Sequence, residues 1–138
     1  MHVVDAHQRV ELQQRVELAG IGEALAVAHL FVGEFEQLIL FSVVQLEADA
    51  YGVAIRENIE ARTGRVVSSG AIYTTLGRLE ERGLVRSETR ARPDGSAGRP
   101  RKYYRIEPAG ARALMDSWEA IQAAAGGLIP RLSELADA

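Results

Sequence analysis

The hydrophobic period of this chain changes at residue 83, and that change limits its fold more than any other feature. Before Gly83, apolar residues recur at steps of three and four, which is typical of helices that bury one face. After it, segments 84–90 (LVRSETR) and 101–106 (RKYYRI) read as two short strands. The stretch between them, ARPDGSAGRP, is rich in glycine and proline and predicts a turn. The sequence thus predicts helices followed by a β-hairpin with a long tip.

Two helices are predicted between residues 34 and 62. Residues 34–46 are apolar on almost every side, which indicates a buried helix. A second helix is expected over residues 51–62, with Asp49 as its N-cap. Gly64 follows the last turn, where glycine commonly ends a helix.

The third predicted helix begins after Ser68 and Ser69, either of which can cap it, and runs to Arg82. Its inward positions are apolar: Ile72, Leu76 and Leu79. Its opposite face is small, polar and partly cationic: Gly70, Thr74, Gly77, Arg78 and Glu81, with Tyr73 on the flank. This outer face allows the close approach of a bulky partner.

Positive charge is concentrated in one part of an acidic chain. The formal net charge is -3, yet residues 78–105 hold nine basic residues against four acids, a local charge of 9 − 4 = +5. A phosphate backbone responds to such a local field rather than to the total charge. Charge alone leaves two interpretations open, a nucleic-acid contact or a solvated, arginine-rich hairpin.

The last segment predicts a helix from Pro108 to about Ala125 and a second one from Pro130. Apolar residues recur there at alternating steps of three and four: Ala111, Leu114, Trp118, Ile121, Ala125, Leu128, Leu132 and Leu135. This stripe is either a seam that pairs helices of two subunits or the core-facing side of one subunit. The predicted organisation is therefore a helical extension (1–33), a central domain (34–107) and a C-terminal dimerisation region (108–138).

Three short helices with a hairpin after the third form a winged helix-turn-helix, a mainly α fold with a small β-hairpin, the wing. The blocks AYGVAIRENIEARTG, SSGAIYTTLGRLEERGLV and GRPRKYYRIEPAG resemble, in order and spacing, those of the PadR family of bacterial transcriptional regulators. The resemblance covers roughly residues 33–125. Thr74 stands where the family often has proline, and residues 107–110 (EPAG) replace its usual Thr-Glu-Ala-Gly.

The resemblance implies that this chain binds a double-stranded DNA operator and regulates transcription. It implies DNA contacts by the third helix, through Ser69, Gly70, Ala71, Tyr73, Thr74 and Arg78, and by the wing, through Arg99, Arg101, Lys102 and Tyr103. Strand alternation sends one of Tyr103 and Tyr104 into the core and leaves the other beside the DNA-facing surface, and the sequence does not decide which.

The resemblance also implies a homodimeric repressor that a small aromatic or hydrophobic effector releases from DNA. Trp118 and its dimer mate would sandwich a flat aromatic ligand, or Trp118 is simply an aromatic residue of the dimer core. The expected dimer-interface residues are Leu114, Trp118, Ile121, Ala125 and Leu128.

Composition argues against several other functions. The chain has no cysteine, and its three histidines lack metal-ligand spacing, so we expect no metal and no cofactor. No nucleophile–base pair or phosphate-binding glycine loop is present, so we expect no enzyme. Without an apolar run of about 18–20 residues or a signal peptide, the expected location is the cytoplasm. The alternative function is a winged-helix module that binds proteins instead of DNA.

Overall fold

Three α-helices, a two-stranded hairpin and two further helices follow one another along the computed structural model, which describes residues 8–9, 31–93, 95 and 98–138. The elements are α1 (Glu34–Leu46), a short 3-10 turn (Glu47–Asp49), α2 (Gly52–Thr63), α3 (Ser69–Glu81), β1 (Val85–Arg90), β2 (Arg101–Ile106), α4 (Pro108–Ala125) and α5 (Ile129–Ala136). This order confirms the predicted winged helix-turn-helix. No helix in the described ranges is long and apolar enough to cross a membrane. The extension predicted over 1–33 lies almost wholly outside them.

One core joins all the principal elements. It is built from the apolar positions that the helical and strand periods predict, and each element from α1 to α4 contributes to it. Its members include Ile39, Leu40, Val43, Ile55, Ile59, Ile72, Leu76, Leu79, Val85, Tyr104, Ala113 and Leu114. Because α3 buries only one side here, its opposite side remains at the surface.

Of the three helix ends predicted from local sequence, at Ser68, Gly64 and Asp49, the structure confirms the first two. Ser68 caps α3, since its Oγ accepts a hydrogen bond from the Ala71 N–H at 3.1 Å. Gly64 ends α2 with φ +71, a left-handed conformation that glycine adopts without strain. The prediction of Asp49 as the cap of α2 is wrong. Tyr51 precedes that helix instead, because the backbone there pairs with β2: the Tyr104 N–H donates to the Ala50 carbonyl at 2.8 Å.

The hairpin buries both of its central tyrosines, which corrects the expectation that one would lie at the surface. Tyr103 and Tyr104 are only 4% and 5% exposed. Tyr104 belongs to the main core. Tyr103 lies on the other face of the sheet, where the Tyr51 ring meets it edge-on, with centroids 5.6 Å apart, and the Arg90 guanidinium covers it at 3.7 Å. Tyr103 is therefore a packing residue, not an exposed DNA contact.

Two close contacts hold the start of helix α4 against the winged domain. The Glu107 N–H donates to the Leu84 carbonyl at 2.9 Å, and Gly110 packs against the same carbonyl. Leu114, expected on the intersubunit seam, instead belongs to the core of its own chain, where it is 7% exposed. The seam residues after it are different: Trp118, Ile121 and Leu128 are exposed, and Ala125 is half-buried.

Candidate nucleic-acid interface

Helix α3 presents its predicted DNA-contacting residues to solvent. Because Ile72, Leu76 and Leu79 hold one side of the helix in the core, the other side faces outward. Tyr73 is 51% exposed. The remaining predicted contacts on this helix are also exposed: Ser69, Gly70, Ala71, Thr74 and Arg78.

The predicted cations of the wing differ in their exposure to solvent. Arg99 and Lys102 are exposed. Arg101 is half-buried, because its guanidinium lies 4.3 Å from the centre of the Tyr51 ring, a cation–π contact that fixes its direction. Arg92 Nε donates to the Arg99 carbonyl at 3.1 Å and so links the two sides of the hairpin tip.

A cleft of about 420 Å³ separates the wing from α3 and the start of α2. It brings Tyr73 of α3 together with the wing cations Arg99, Arg101 and Lys102. Among the described residues, no carboxylate lines it. The lining residues are Tyr51, Gly52, Val53, Tyr73, Arg92, Arg99, Pro100, Arg101, Lys102 and Tyr104. Such a concave, cationic surface attracts a phosphate group.

Six lining residues were not predicted as site residues: Tyr51, Gly52, Val53, Arg92, Pro100 and Tyr104. Tyr51 and Gly52 fall in the block AYGVAIRENIEARTG, to which the sequence analysis assigned no DNA contact. Arg92 lies in the turn-rich stretch, where no hydrophobic periodicity predicts the direction of a side chain. The pairing of Ala50 and Tyr51 with β2 brings Tyr51 and Gly52 to the cleft.

Tyr104 is held as a neutral phenol beside the cleft. Burial raises its pKa above the ordinary 10.0, and the nearby Glu80 carboxylate and Tyr73 hydroxyl raise it further. Glu80 is itself bound to the wing, since its Oε2 accepts a hydrogen bond from Ser87 Oγ at 2.5 Å. These contacts anchor the inner face of the hairpin to α3.

Trp118 lies on α4, away from the cleft. It is 45% exposed, and its ring meets Phe41 of α1 edge-on, with centroids 5.9 Å apart. The structure thus leaves an open indole surface beside an aromatic neighbour. In the described part of the chain, no group of His, Asp or Glu is arranged to hold a metal ion.

An outward-facing third helix, a β-hairpin beside it and a cationic cleft between them define a winged helix-turn-helix protein of the nucleic-acid-binding type. A sequence model of the family described as "Transcriptional regulator PadR-like family" matches residues 40–116, more than half of the chain. The chain belongs to this family of transcriptional regulators. The predicted family is confirmed, and it is a family of regulators rather than enzymes.

Individual relatives agree with this assignment. Over 62 residues the chain is 44% identical to the transcriptional regulator Rv3488 of Mycobacterium tuberculosis, a match that covers 45% of this chain and 54% of the relative. The chain thus spans about half the length of that curated relative.

Solved structures of similar proteins show the same fold. A transcriptional regulator, TA0346, of Thermoplasma acidophilum matches with a TM-score of 0.56 at 28% identity, over 70% of this chain and 90% of that one. The PadR-like regulator BC4206 of Bacillus cereus matches with a TM-score of 0.55 at 25% identity, over 75% and 92%.

Proposed function

We propose that this regulator is a homodimeric repressor that binds a specific double-stranded DNA operator and is released by a small aromatic or hydrophobic ligand. Residues 34–107 form its DNA-binding domain, and residues 108–138 form its dimerisation region. A protein that acts on chromosomal DNA works in the bacterial cytoplasm.

The cationic cleft beside the exposed face of α3 carries the DNA-binding part of this proposal. In winged helix-turn-helix proteins the third helix enters the major groove while the wing lies along the backbone. Arg99 and Lys102 are exposed at the wing side of the cleft, and Tyr73 lines its α3 side. Each phosphate that such cations neutralise releases condensed counterions, so binding weakens as salt rises.

Fluorescence anisotropy with the gene's own upstream DNA and a scrambled duplex, each at several salt concentrations, tests DNA binding. We expect tight, salt-dependent binding that prefers the upstream DNA. The double substitution Arg99→Ala with Lys102→Ala should weaken binding to both duplexes and lower the salt slope by about two, one unit for each lost phosphate contact.

Arg86→Ala with Arg105→Ala is the matched control. These arginines pair directly across the base of the same hairpin and are exposed, so the variant loses equal charge far from the tip. It should keep the wild-type salt slope. If the wild-type protein binds neither duplex at low salt, the protein-binding alternative replaces this proposal.

The apolar surface of the C-terminal helices supports a dimer. Helix α5 has eight residues and buries none of them, although Leu132 and Leu135 are apolar. A helix this short is not stable alone in water and needs a partner surface. A second copy supplies one, and a two-fold dimer would place its recognition helices about 34–36 Å apart to match successive major grooves.

The open face of Trp118 supports the ligand part of the proposal. A flat ligand between the terminal helices of two subunits would change the separation of the recognition helices. It acts as an inducer only if its affinity differs between the two separations. Quenching of Trp118, the only tryptophan, by a panel of planar aromatic compounds measures binding. Trp118→Ala, followed by calorimetry, should weaken binding while operator affinity stays within a few-fold, and unchanged ligand titrations would exclude this site.

A further inference from the structure

We propose that Gly52 is a positioning residue for DNA binding. The Tyr73 ring packs against the Gly52 α-carbon, which carries no side chain, and this contact determines the position of the Tyr73 hydroxyl in the cleft. This inference rests on the proposed DNA-binding function. It assigns to α2, which carries none of the predicted DNA contacts, a direct influence on a contact made by α3.

The contact between Gly52 and Tyr73 leaves no room for a side chain. A Cβ built on Gly52 would lie 2.5 Å from Cε1 and 2.6 Å from both Cζ and Oη of the Tyr73 ring. Real Cβ contacts essentially never fall below 3.0 Å. Gly52 does not have a positive φ, so the position requires glycine for space rather than for backbone conformation.

The ring, and not the backbone, is the part that would move. The backbone before Gly52 is held to the sheet, since Ala50 accepts a hydrogen bond from the Tyr104 N–H and Tyr51 forms a β-bridge with Tyr103. Tyr73 is instead half exposed and lies at the end of a rotatable side chain. A methyl group at position 52 would therefore turn the phenol toward solvent while leaving the fold in place.

Tyr51, the residue before Gly52, contacts the wing. The Tyr51 ring lies beneath the Arg101 guanidinium and against Tyr103 of β2. Tyr51 thus positions a wing cation, and Gly52 positions a hydroxyl on the recognition helix. Both groups line one cleft, so their separation is set by two consecutive residues.

A double-mutant cycle tests the proposal with Gly52→Ala, Tyr73→Ala and the combined variant, measured by anisotropy against the upstream duplex. Loss of one phosphate hydrogen bond weakens binding about tenfold. We expect Gly52→Ala and Tyr73→Ala each to weaken binding by about that factor, and the combined variant to be no weaker than Tyr73→Ala alone. Tyr73→Phe, which keeps the ring but removes the hydroxyl, should match Tyr73→Ala.

The salt slope separates positioning from general damage. Gly52→Ala leaves every wing cation in place, so its slope should equal that of the wild-type protein even though its affinity is lower. A flattened slope would mean that the wing itself had shifted and would overturn the proposal. Gly33→Ala is the matched control, because a Cβ there meets only Glu36 Oε1 at 3.8 Å, far from the cleft. It should leave DNA affinity unchanged.

Thermal melting tests the contact without DNA and so separates this inference from the proposed function. Gly52→Ala should melt below the wild-type protein, and adding Tyr73→Ala should restore the melting temperature. This comparison still tests the contact between Gly52 and Tyr73 if Gly52→Ala alone does not fold, or if the wild-type protein binds no DNA. Unchanged DNA affinity in Gly52→Ala, additive losses in the combined variant, or no recovery of its melting temperature would each overturn the proposal.

Discussion

Tyr104 shows how a single residue links the wing to α3. Its backbone N–H binds Ala50 before α2, and its phenol is buried near Glu80 of α3. Because burial raises the pKa of this phenol, and the Glu80 carboxylate adds to the effect, the hydroxyl stays protonated in the folded protein when it would already ionise in the unfolded chain.

This raised pKa gives stability a defined pH dependence. Above the unfolded value of 10.0, the folded state binds more protons than the unfolded state, so the free energy of unfolding falls as pH rises through the folded pKa. We expect Tyr104→Phe to show a shallower loss of stability than the wild-type protein as pH rises above 10.0. Urea denaturation across this range measures it, and parallel profiles would contradict it.

Ser68 makes a second contribution at the residue scale. Its Oγ accepts the Ala71 N–H, so Ser68→Ala should lower the free energy of unfolding by about 1 kcal/mol. Ser69→Ala, one residue inside the helix, is the control and should change stability by less than about 0.5 kcal/mol. Equal losses in both variants, measured by urea denaturation, would show that the cap is not the cause.

At the scale of elements, the approach of α4 to the start of the hairpin depends on Gly110. A Cβ on Gly110 would lie 2.1 Å from the Leu84 carbonyl oxygen and 3.0 Å from Ile106 Cγ1. The carbonyl is backbone and also accepts the Glu107 N–H, so it cannot turn aside as a side chain would. A larger residue must therefore push α4 away from the winged domain.

Gly110→Ala should destabilise the protein by about 1–3 kcal/mol, the usual cost of overpacking. Gly77→Ala in α3 is a sharp contrast, because a Cβ there meets nothing within 4 Å. Since alanine is the better helix former by about 1 kcal/mol, this second variant should be more stable than the wild-type protein. Chemical denaturation of both variants checks the prediction, and two shifts of the same sign would contradict it.

For the whole molecule, we expect the exposed stripe of α4 and α5 to determine assembly. Ile121 is 59% exposed and lies on this stripe, whereas Leu114, one heptad earlier, is in the core of its own chain. The two positions share a sequence pattern but should respond differently to substitution. Ile121 is expected to affect association, and Leu114 is expected to affect folding.

Ile121→Arg should shift sedimentation from dimer toward monomer, because it places a charge in the apolar interface. Helical circular dichroism should be retained, and DNA affinity should fall because a monomer contacts only one half-site. Ala120→Arg adds the same charge at the adjacent exposed position off the stripe and should remain dimeric. A dimer that survives Ile121→Arg would place the interface elsewhere.

The sequence by itself determined the elements and most of the core. Helical spacing identified Ile72, Leu76 and Leu79 as buried, and the change of period at Gly83 located the hairpin. These features depend on neighbours three or four positions away, or two along a strand, which the sequence displays directly. The bounds of α1 and β2 were predicted correctly for the same reason.

Only the tertiary structure decided which further residues line the cleft and which positions are covered. Strand alternation predicted that one of Tyr103 and Tyr104 would be exposed. Instead, Tyr51, which pairs with Tyr103 just before α2, and Arg90 at the end of β1 cover the face that would have been open. The need for glycine at position 52 likewise depends on Tyr73, a contact across two helices. Local periodicity indicates which face of an element is apolar. Close contacts between elements depend on how those faces pack together, and the spacing of residues within one segment does not encode that packing.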